Sequence, residues 1–280
     1  MLEYKLPLGG TNCSVVEWNP EGKVPLFAFH GWLDNLATFE TLIPHLEDIR
    51  FIAVDFPGHG HSDHIEQGQA YHFLDGIFLI DDLIEHFDLD KVSLLGHSMG
   101  GAIASIYAGI QADKIDKLVL IEALGPVTSP TNQAQASLNK ALVQRRALKH
   151  KRKPIYQNFN QALLARAEVA DLEPKLLKPL VERALTSVED GYTWRADSRL
   201  RIPSTLRLSE NQVQNILPSI EAPTLMIEAD SGLLISPEVN YVQKRKTLVQ
   251  ELKVCNMPGG HHLHLEHPDK VAQRIKEFLL

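Results

Sequence analysis

Short runs of apolar residues alternate with amphipathic segments along most of this chain. Four of these runs, Leu26–Phe29, Phe51–Val54, Val92–Leu95 and Leu118–Ile121, have the length of strands that are buried on both faces. Between them, Tyr71–Phe87 places its apolar residues at helical spacing. Continuous apolar strands separated by helices are typical of a parallel sheet covered on both sides. The pattern therefore predicts an α/β fold.

Both ends of the chain extend this alternation. Near the start, Glu3–Leu8 and Cys13–Trp18 flank Gly9-Gly10-Thr11-Asn12, a combination that predicts a β-hairpin. Further on, Phe39–Leu46 alternates at helical spacing. The last part predicts, in order, a strand, a helix, a strand and a closing helix: Pro223–Ala229, Pro237–Arg245, Val249–Val254 and Pro268–Leu280.

The alternation stops after Gly125-Pro126, and from Val127 to Leu217 we find no clear strand. A helical block between two strands of one sheet is expected to cover the C-terminal ends of the strands, where ligands bind in open α/β sheets. We therefore predict a core domain of residues 1–126 and 218–280 with a helical cap of residues 127–217. The predicted cap helices are Asn139–Lys149, Pro154–Ala170, Lys175–Thr186 and Asn211–Leu217. Candidates for the apolar lining of the cap, with helix-packing core as the alternative, are Tyr156, Phe159, Leu163 and Leu164.

The segment Gly96-His97-Ser98-Met99-Gly100 is a G-x-S-x-G motif between a predicted strand and a helix that begins with small residues. A serine on a tight strand-to-helix turn has its hydroxyl forced outward, and flanking glycines permit the strained backbone and the close packing. The following helix directs free N–H groups and the positive end of its dipole at an anion beside the serine. The motif therefore predicts a nucleophile elbow with Ser98 as the nucleophile.

A serine nucleophile needs a base. The late segment Gly259–Pro268 holds four histidines. His261 is our candidate base, because it directly follows two glycines, where a loop can lean over the edge of the sheet. His262 is the alternative, whereas His264 and His267 are expected to fall towards the closing helix.

The same reaction needs donors for the oxyanion that forms during attack. The first is predicted to be the backbone N–H of Met99, which follows the serine. The second is predicted to be the backbone N–H of Trp32, in the loop after an early strand.

Two carboxylates are candidates for orienting the imidazole. Asp230 follows the strand Pro223–Ala229, which fits the chain order serine, acid, histidine. Glu122 ends the strand next to the elbow strand and could reach the same ring. Either could instead be a capping or solvated carboxylate, so position along the chain leaves the choice open.

A competing signal is the loop His59-Gly60-His61-Ser62-Asp63-His64, which matches the ligand pattern of di-zinc hydrolases. Three imidazoles and a carboxylate on one loop are a credible metal-binding set. The alternative is a tight glycine turn with a capping Ser-Asp pair. We favour the turn, because serine chemistry accounts for the elbow, the helical insertion and the late histidine, whereas zinc accounts for this loop only. The prediction is a site without metal or cofactor.

With 280 residues, 44% of them apolar, the chain is long enough for one large domain with an insertion.

Composition and charge limit the kinds of partner that the protein is expected to bind. A net charge of −7 and a pI near 6.0 argue against nucleic acid or membrane as partners, so the basic run Lys149–Lys153, with Arg145 and Arg146, is interpreted as a solvated helix end. No secretory signal is visible, and Cys13 and Cys255 suggest no disulfide framework, which favours the cytoplasm. The oligomeric state stays open between monomer and homodimer.

Together these motifs resemble the α/β-hydrolase fold superfamily over essentially the whole chain. The landmarks, in order, are His30–Asp34, Asp55–Ser62, the elbow, Pro223–Ile227, and Gly260-His261 with Glu266 and Pro268. The resemblance implies an eight-stranded, mostly parallel sheet with helices on both faces, a helical cap, and a Ser–acid–His triad without cofactor. Two further segments look like the serine hydrolase-like (kraken-type) group: Ile121–Pro126 and Trp194–Leu200.

The resemblance also bears on the acid. Family members usually place it after the seventh strand, where the spacing lands on Gly232, two residues beyond Asp230. Glu122–Pro126 instead resembles the haloalkane dehalogenase segment in which the acid follows the sixth strand, although Ser98, where dehalogenases carry aspartate, argues against dehalogenation. We therefore predict Glu122 as the acid, with Asp230 as the alternative. The predicted activity is hydrolysis of small carboxylic esters, with thioesters and lactones as related substrates; a non-catalytic ligand-binding protein of the same fold is the other possibility.

Overall fold

The computed structural model describes residues 1–236 and 239–280. Its centre is an eight-stranded sheet with strand order β1-β2-β4-β3-β5-β6-β9-β10. The strands are β1 Leu2–Leu8, β2 Thr11–Trp18, β3 Val24–Phe29, β4 Ile49–Val54, β5 Val92–His97, β6 Ile115–Ile121, β9 Thr224–Ala229 and β10 Leu252–Met257. β2 is antiparallel to both of its neighbours, and the other strands pair in parallel. The predicted α/β-hydrolase fold is confirmed.

The central strands are apolar throughout because both faces of the sheet are covered. Every residue of β5 is buried. One face packs against α1 Gly76–His86, α2 Met99–Ile110, α6 Glu210–Ile216 and α7 Tyr241–Lys246. The other face packs against α8 Leu263–Glu266, α9 Pro268–Leu279 and the 3-10 helices in the connection between β3 and β4. The residues that carry chemistry are expected at the C-terminal edge of this sheet.

The segment between β6 and β9, called the inserted segment below, contains most of the remaining helices. These are α3 Ala134–Leu148, α4 Phe159–Ala170 and α5 Lys178–Ala184, followed by α6. Val213 of α6 lies in the main core beside α2, so α6 is the part of the inserted segment that packs on the sheet layer. Tyr156, Phe159 and Leu163 pack around a small core of the inserted segment, and Leu164 is exposed. Tyr156, Phe159 and Leu163 therefore pack within the inserted segment, which was the alternative to lining the pocket.

The sequence prediction of no strand in this segment is wrong. The short strands β7 Leu185–Val188 and β8 Gly191–Trp194 form an antiparallel hairpin, which takes in the end of the helix predicted for Lys175–Thr186. Tyr192 N–H and C=O pair with the backbone of Tyr156 at 2.8 Å. A strand of four residues is too short for its alternation of apolar and polar positions to be detected. The pairing of this hairpin with Tyr156 joins residues that are distant in sequence, so no local pattern indicates it.

Other element boundaries also differ from the sequence predictions. The helical spacing of Phe39–Leu46 corresponds to two 3-10 helices, Leu36–Phe39 and Ile43–His45, because Pro44 cannot continue an α-helix. The helix predicted from Tyr71 begins at Gly76, and the strand predicted at Val249–Val254 lies at β10. Residues 237 and 238 of the helix predicted near Pro237–Arg245 lie outside the described residues, and α7 covers its later part.

Two further observations concern the whole chain. Cys13 and Cys255 are free thiols, and Cys13 is buried within β2. In the part of the chain that the structure describes, no helix combines the length and the hydropathy needed to cross a membrane.

Candidate active site

Ser98 lies on a tight turn between β5 and α2 with φ of 50° and ψ of −113°. Residues other than glycine rarely adopt this backbone conformation, and it persists only where the surroundings hold it. Ser98 N–H donates to Ile121 O at 3.0 Å, and α2 begins at the next residue. The close approach of α2 to β3 requires Gly100, because a Cβ there would lie 2.1 Å from Phe29 O. The Ser98 side chain is thereby presented to a pocket.

His261, in the turn between β10 and α8, lies beside the serine. Its Nε2 is 2.9 Å from Ser98 Oγ, although the two residues are 163 positions apart in sequence. On the other side of the ring, Nδ1 is 3.4 Å from Glu122 Oε2. The imidazole of His261 therefore lies between the Ser98 hydroxyl and the Glu122 carboxylate.

The Glu122 carboxylate is buried and held by backbone donors. Its two oxygens accept the N–H groups of Ala229 at 2.8 Å and Leu233 at 2.7 Å. Glu122 itself has φ of 51°, which turns the chain sharply at the end of β6. A Cβ at Gly232 would lie 2.3 Å from Glu122 Oε2. The glycine at the position where the resemblance expects the acid thus leaves the space that Glu122 fills.

Asp230, the alternative acid, is exposed and bonds to its neighbour and to the turn after β10. Its Oδ1 accepts the Ser231 hydroxyl at 3.0 Å and the Gly259 N–H at 3.2 Å. Among the described residues, its carboxylate makes no hydrogen bond or ion pair with His261. Asp230 joins the residues that follow β9 to the turn that follows β10, and Glu122 is the carboxylate that reaches the ring.

The predicted oxyanion donors lie on two loops that meet at the elbow. Gly100 N–H donates to His30 O at 3.1 Å, which holds the loop after β3 against the start of α2. Both Trp32 and Met99 line the pocket beside Ser98. Within residues 1–236 and 239–280, the backbone N–H groups of Trp32 and Met99 have no protein acceptor. The Trp32 indole is half exposed and donates to Leu200 O at 3.0 Å.

Behind His261 lies a polar network that the sequence analysis did not assign. Asp34 is buried, with Oδ2 3.1 Å from His262 Nε2 and Oδ1 2.7 Å from Arg166 Nη2 of α4. Burial by itself would raise the pKa of Asp34, but the hydrogen bond and charge of His262, together with the charge of Arg166, hold the pKa well below its usual range. His262 is thus engaged with Asp34 and does not contact Ser98. The landmark His30–Asp34 was the available signal for this role.

His97, the residue before the nucleophile, supports the same turn from below. Its Nε2 donates to the backbone carbonyl of His261 at 2.9 Å, and its buried Nδ1 makes no hydrogen bond among the described residues and lies 3.9 Å from Asp34 Oδ2. Burial, together with the imidazoles of His264, His261 and His262, lowers the pKa of His97 well below its ordinary value. The ring is therefore neutral and positions the loop of His261 by a hydrogen bond. His264 lies in α8, where its Nε2 is 2.7 Å from the Thr38 hydroxyl.

The loop of the competing zinc hypothesis does not gather its side chains. Each candidate ligand has a separate partner: His59 with Leu33 N–H, His61 with Glu3, Asp63 with Lys5 and Asn12, and His64 with Asp197. In the described part of the chain, the ligand-type atoms that do lie within 4.8 Å of one another belong to Asp34, His97 and His262. Arg166 already neutralises that carboxylate. The geometry favours the glycine turn for the loop.

The pocket beside Ser98 has a volume of about 630 Å³. Its wall is mostly apolar and comes from α1, α2 and the turn after β6, with Leu79, Ile103 and Leu124 among the buried lining residues. Its exposed side is formed by α3 and by the segment from Leu200 to Leu208. A cavity of this size and polarity can hold a small organic molecule with a medium-length apolar chain.

The chain is similar to known proteins over most of its length. The family model for the alpha/beta hydrolase fold matches residues 24–268. A serine hydrolase-like protein of Danio rerio is 27% identical over 99% of this chain and 88% of its own, and one of Dictyostelium discoideum is 30% identical over 99% and 81%. Both relatives are therefore covered over most of their length.

Solved structures give the same picture. The hypothetical protein PA1622 from Pseudomonas aeruginosa PAO1 superimposes with a TM-score of 0.90 at 34% identity, covering 98% of each chain. A thioesterase domain from the curacin biosynthetic pathway superimposes with a TM-score of 0.87 at 26% identity, covering 99% of each. Sheet order, elbow and family match therefore lead to one conclusion: the chain belongs to the alpha/beta hydrolase fold family, and serine hydrolase-like proteins are among its relatives.

Proposed function

We propose that this protein is a serine hydrolase that cleaves carboxylic esters, and by the same chemistry thioesters and lactones, through an acyl-enzyme. The observation that carries the proposal is the 2.9 Å approach of His261 Nε2 to Ser98 Oγ, with Glu122 on the far side of the ring. A nucleophile, a base within hydrogen-bond distance and a third group orienting the base are the arrangement that acyl transfer requires.

In the proposed reaction, Ser98 Oγ attacks the substrate carbonyl while His261 Nε2 takes its proton. The tetrahedral intermediate collapses, the C–O bond to the leaving alcohol breaks, and His261 returns the proton to that alcohol. A water molecule then attacks the acyl-enzyme with His261 again as the base, which releases the carboxylic acid and restores Ser98. Glu122 holds the ring so that Nε2 faces the serine.

The oxyanion formed in each step is proposed to accept hydrogen bonds from the backbone N–H groups of Trp32 and Met99. Both groups belong to residues that line the pocket beside Ser98. Met99 is also the first residue of α2, so the positive end of the helix dipole adds to the stabilisation. Loss of one such donor typically costs about 10²–10³-fold in kcat.

We further propose that residues 127–217 act as a cap on a core of residues 1–126 and 218–280, and that the cap sets acyl-chain selectivity. Residues on both sides of these boundaries line the pocket, which supports this division. The pI near 6.0 and the free thiols support a cytoplasmic hydrolase of small molecules. Such a cap would also limit the access of bulk water to the pocket.

A fluorophosphonate probe tests the proposal. Wild-type protein is expected to be labelled, and Ser98→Ala is expected to lose the label while keeping its circular dichroism spectrum. Ser187→Ala, an exposed serine in β7, is the matched control and should label like wild type. Folded wild type that resists labelling would instead support the non-catalytic ligand-binding alternative, and turnover abolished by a chelator would support a metal-dependent one.

Substrate preference is the next measurement. Turnover of p-nitrophenyl esters of increasing acyl length should rise and then fall, because the apolar pocket has a finite volume of about 630 Å³. A rate that does not vary with acyl length would contradict an acyl-binding role for the pocket.

A further inference from the structure

Charge is distributed unevenly along the chain. The net charge is −7, yet residues 123–167 contain eight Lys and Arg residues and no Asp or Glu. This stretch includes α3, on the exposed side of the pocket. A cationic surface in an otherwise acidic protein draws anions towards it.

Three exposed cations line the same pocket as Ser98: Lys140 of α3, Arg201 and Arg207. Within the described residues, none of their side chains has a hydrogen-bond or ion-pair partner. Other arginines near the inserted segment are paired, namely Arg166 with Asp34, Arg183 with Glu3 and Asp55, Arg199 with Asp197, and Arg245 with Glu210. We call Lys140, Arg201 and Arg207 the cationic mouth.

The acidic side chains of the pocket do not neutralise the cationic mouth. Glu122 accepts two backbone N–H groups and faces His261, so its charge is already engaged. Asp75 is exposed and is the other carboxylate of the pocket lining. The pocket lining therefore contains three unpaired cations and one unpaired carboxylate among the described residues, so its unpaired charge is positive.

The pocket thus has two chemically different ends. Most of the buried lining residues are apolar, and Leu79, Ile103 and Leu124 are among them. The cationic mouth is exposed to solvent. An acyl chain suits the first end and an anionic group suits the second, because guanidinium and ammonium groups form charge-assisted hydrogen bonds with carboxylate and phosphate.

We propose that the substrate carries an anionic group, a phosphate or a carboxylate, which the cationic mouth binds while Ser98 attacks the carbonyl. This inference rests on the proposed hydrolase function. The anion has two possible sources: a phosphate on the leaving group, as in an acyl thioester of coenzyme A, or a carboxylate at the far end of the acyl chain. Both sources present the same charge to Lys140, Arg201 and Arg207.

Two matched pairs of substrates separate the sources. The first pair is hexanoyl-coenzyme A and the neutral thioester S-hexanoyl-N-acetylcysteamine. The second pair is the p-nitrophenyl monoester of adipic acid and the neutral p-nitrophenyl hexanoate. Wild-type enzyme is expected to show a lower KM for the anionic member of one pair, and that preference should weaken as salt is added. The pair that shows the preference identifies where the anion lies.

Charge removal tests the residues. The triple variant Lys140→Gln, Arg201→Gln, Arg207→Gln should raise KM for the preferred anionic substrate by about tenfold and change KM for its neutral partner by less than about twofold. The control variant Arg145→Gln, Arg146→Gln, Lys149→Gln removes the same charge from exposed positions outside the pocket lining and should leave both KM values unchanged.

The inference is overturned if neither pair shows a preference in wild type, or if the control variant raises KM as much as the test variant. Turnover of p-nitrophenyl hexanoate reports separately on the proposed function. If that ester is hydrolysed without any preference for an anion, the hydrolase proposal stands and only the anion site is lost. If no ester is hydrolysed and the fluorophosphonate does not label Ser98, both proposals fail.

Discussion

The Arg166 guanidinium lies 2.7 Å from the Asp34 carboxylate, and this ion pair joins α4 of the inserted segment to the loop that follows β3. The second oxygen of Asp34 lies 3.1 Å from His262 Nε2, next to the candidate base. One buried carboxylate therefore connects the inserted segment, the loop that carries Trp32 and the turn that carries His261. A movement of α4 is therefore expected to change the position of the His261 imidazole.

Removing this cation should lower both stability and activity. Arg166→Met leaves the buried Asp34 with His262 as its remaining partner, and we expect the free energy of unfolding to fall by about 2 kcal/mol, less than for a fully buried pair because Arg166 is partly exposed. We expect kcat to fall by about tenfold, since the turn that holds His261 loses a restraint. Urea denaturation and p-nitrophenyl ester turnover measure the two effects. Arg146→Met, an exposed cation of α3, is the control; equal behaviour of the two variants would contradict this account.

Substitution of the two candidate acids should give unequal results. Glu122→Gln is expected to reduce kcat by about 10⁴-fold, because the amide cannot hold His261 in the required tautomer. Asp230→Asn is expected to keep kcat within about threefold of wild type, because the amide oxygen can still accept the Ser231 hydroxyl and the Gly259 N–H, and among the described residues Asp230 makes no hydrogen bond with His261. Steady-state kinetics on one ester suffices. The reverse order of effects would show that Asp230 is the acid.

A carboxylate at position 232 should partly replace the carboxylate of Glu122. Glu122→Ala opens the space against which Gly232 packs, and Gly232→Asp introduces a carboxylate there. We expect the double variant to recover about 10²-fold of the kcat that Glu122→Ala alone loses, because the new carboxylate can reach the same imidazole. Gly232→Asp alone should destabilise the protein, since its Cβ would lie 2.3 Å from Glu122 Oε2. No recovery in a folded double variant would argue that the backbone donors to Glu122 are themselves required.

Stability should fall in acid because several imidazoles are buried in the neutral form. Burial lowers the pKa of His30 to about 4 and the pKa values of His59 and His264 to about 3. Between about pH 6.5 and these values, the unfolded chain binds protons that the folded chain does not, so the free energy of unfolding falls as pH is lowered. The slope is about 1.4 kcal/mol per pH unit for each proton taken up.

Urea denaturation at several pH values between 7.5 and 4 measures this dependence. His264→Asn should reduce the slope, whereas replacing the exposed His86 with asparagine should not. A slope unaffected by His264→Asn would contradict the assignment of that ring as a buried neutral group.

Errors in the sequence analysis fall where local pattern and long-range contact disagree. The hairpin of β7 and β8 is stabilised by pairing with the backbone of Tyr156, which no window of sequence reveals. The segment Phe39–Leu46 has helical spacing, but Pro44 cannot continue an α-helix, and the chain forms two 3-10 helices there with Phe39 and Leu42 packed against the sheet. The pairing of Asp34 with Arg166 joins residues 132 positions apart and had no local signal.

The sequence by itself determined the alternation of strands and helices along the core of the chain and the sharp turn at Ser98, because apolar periodicity and glycine placement act over a few residues. Only the tertiary structure decided which carboxylate meets His261, which histidine meets Ser98, and which cations share the pocket. The two contacts of His261 join positions more than a hundred residues apart, and their geometry depends on how every intervening element packs.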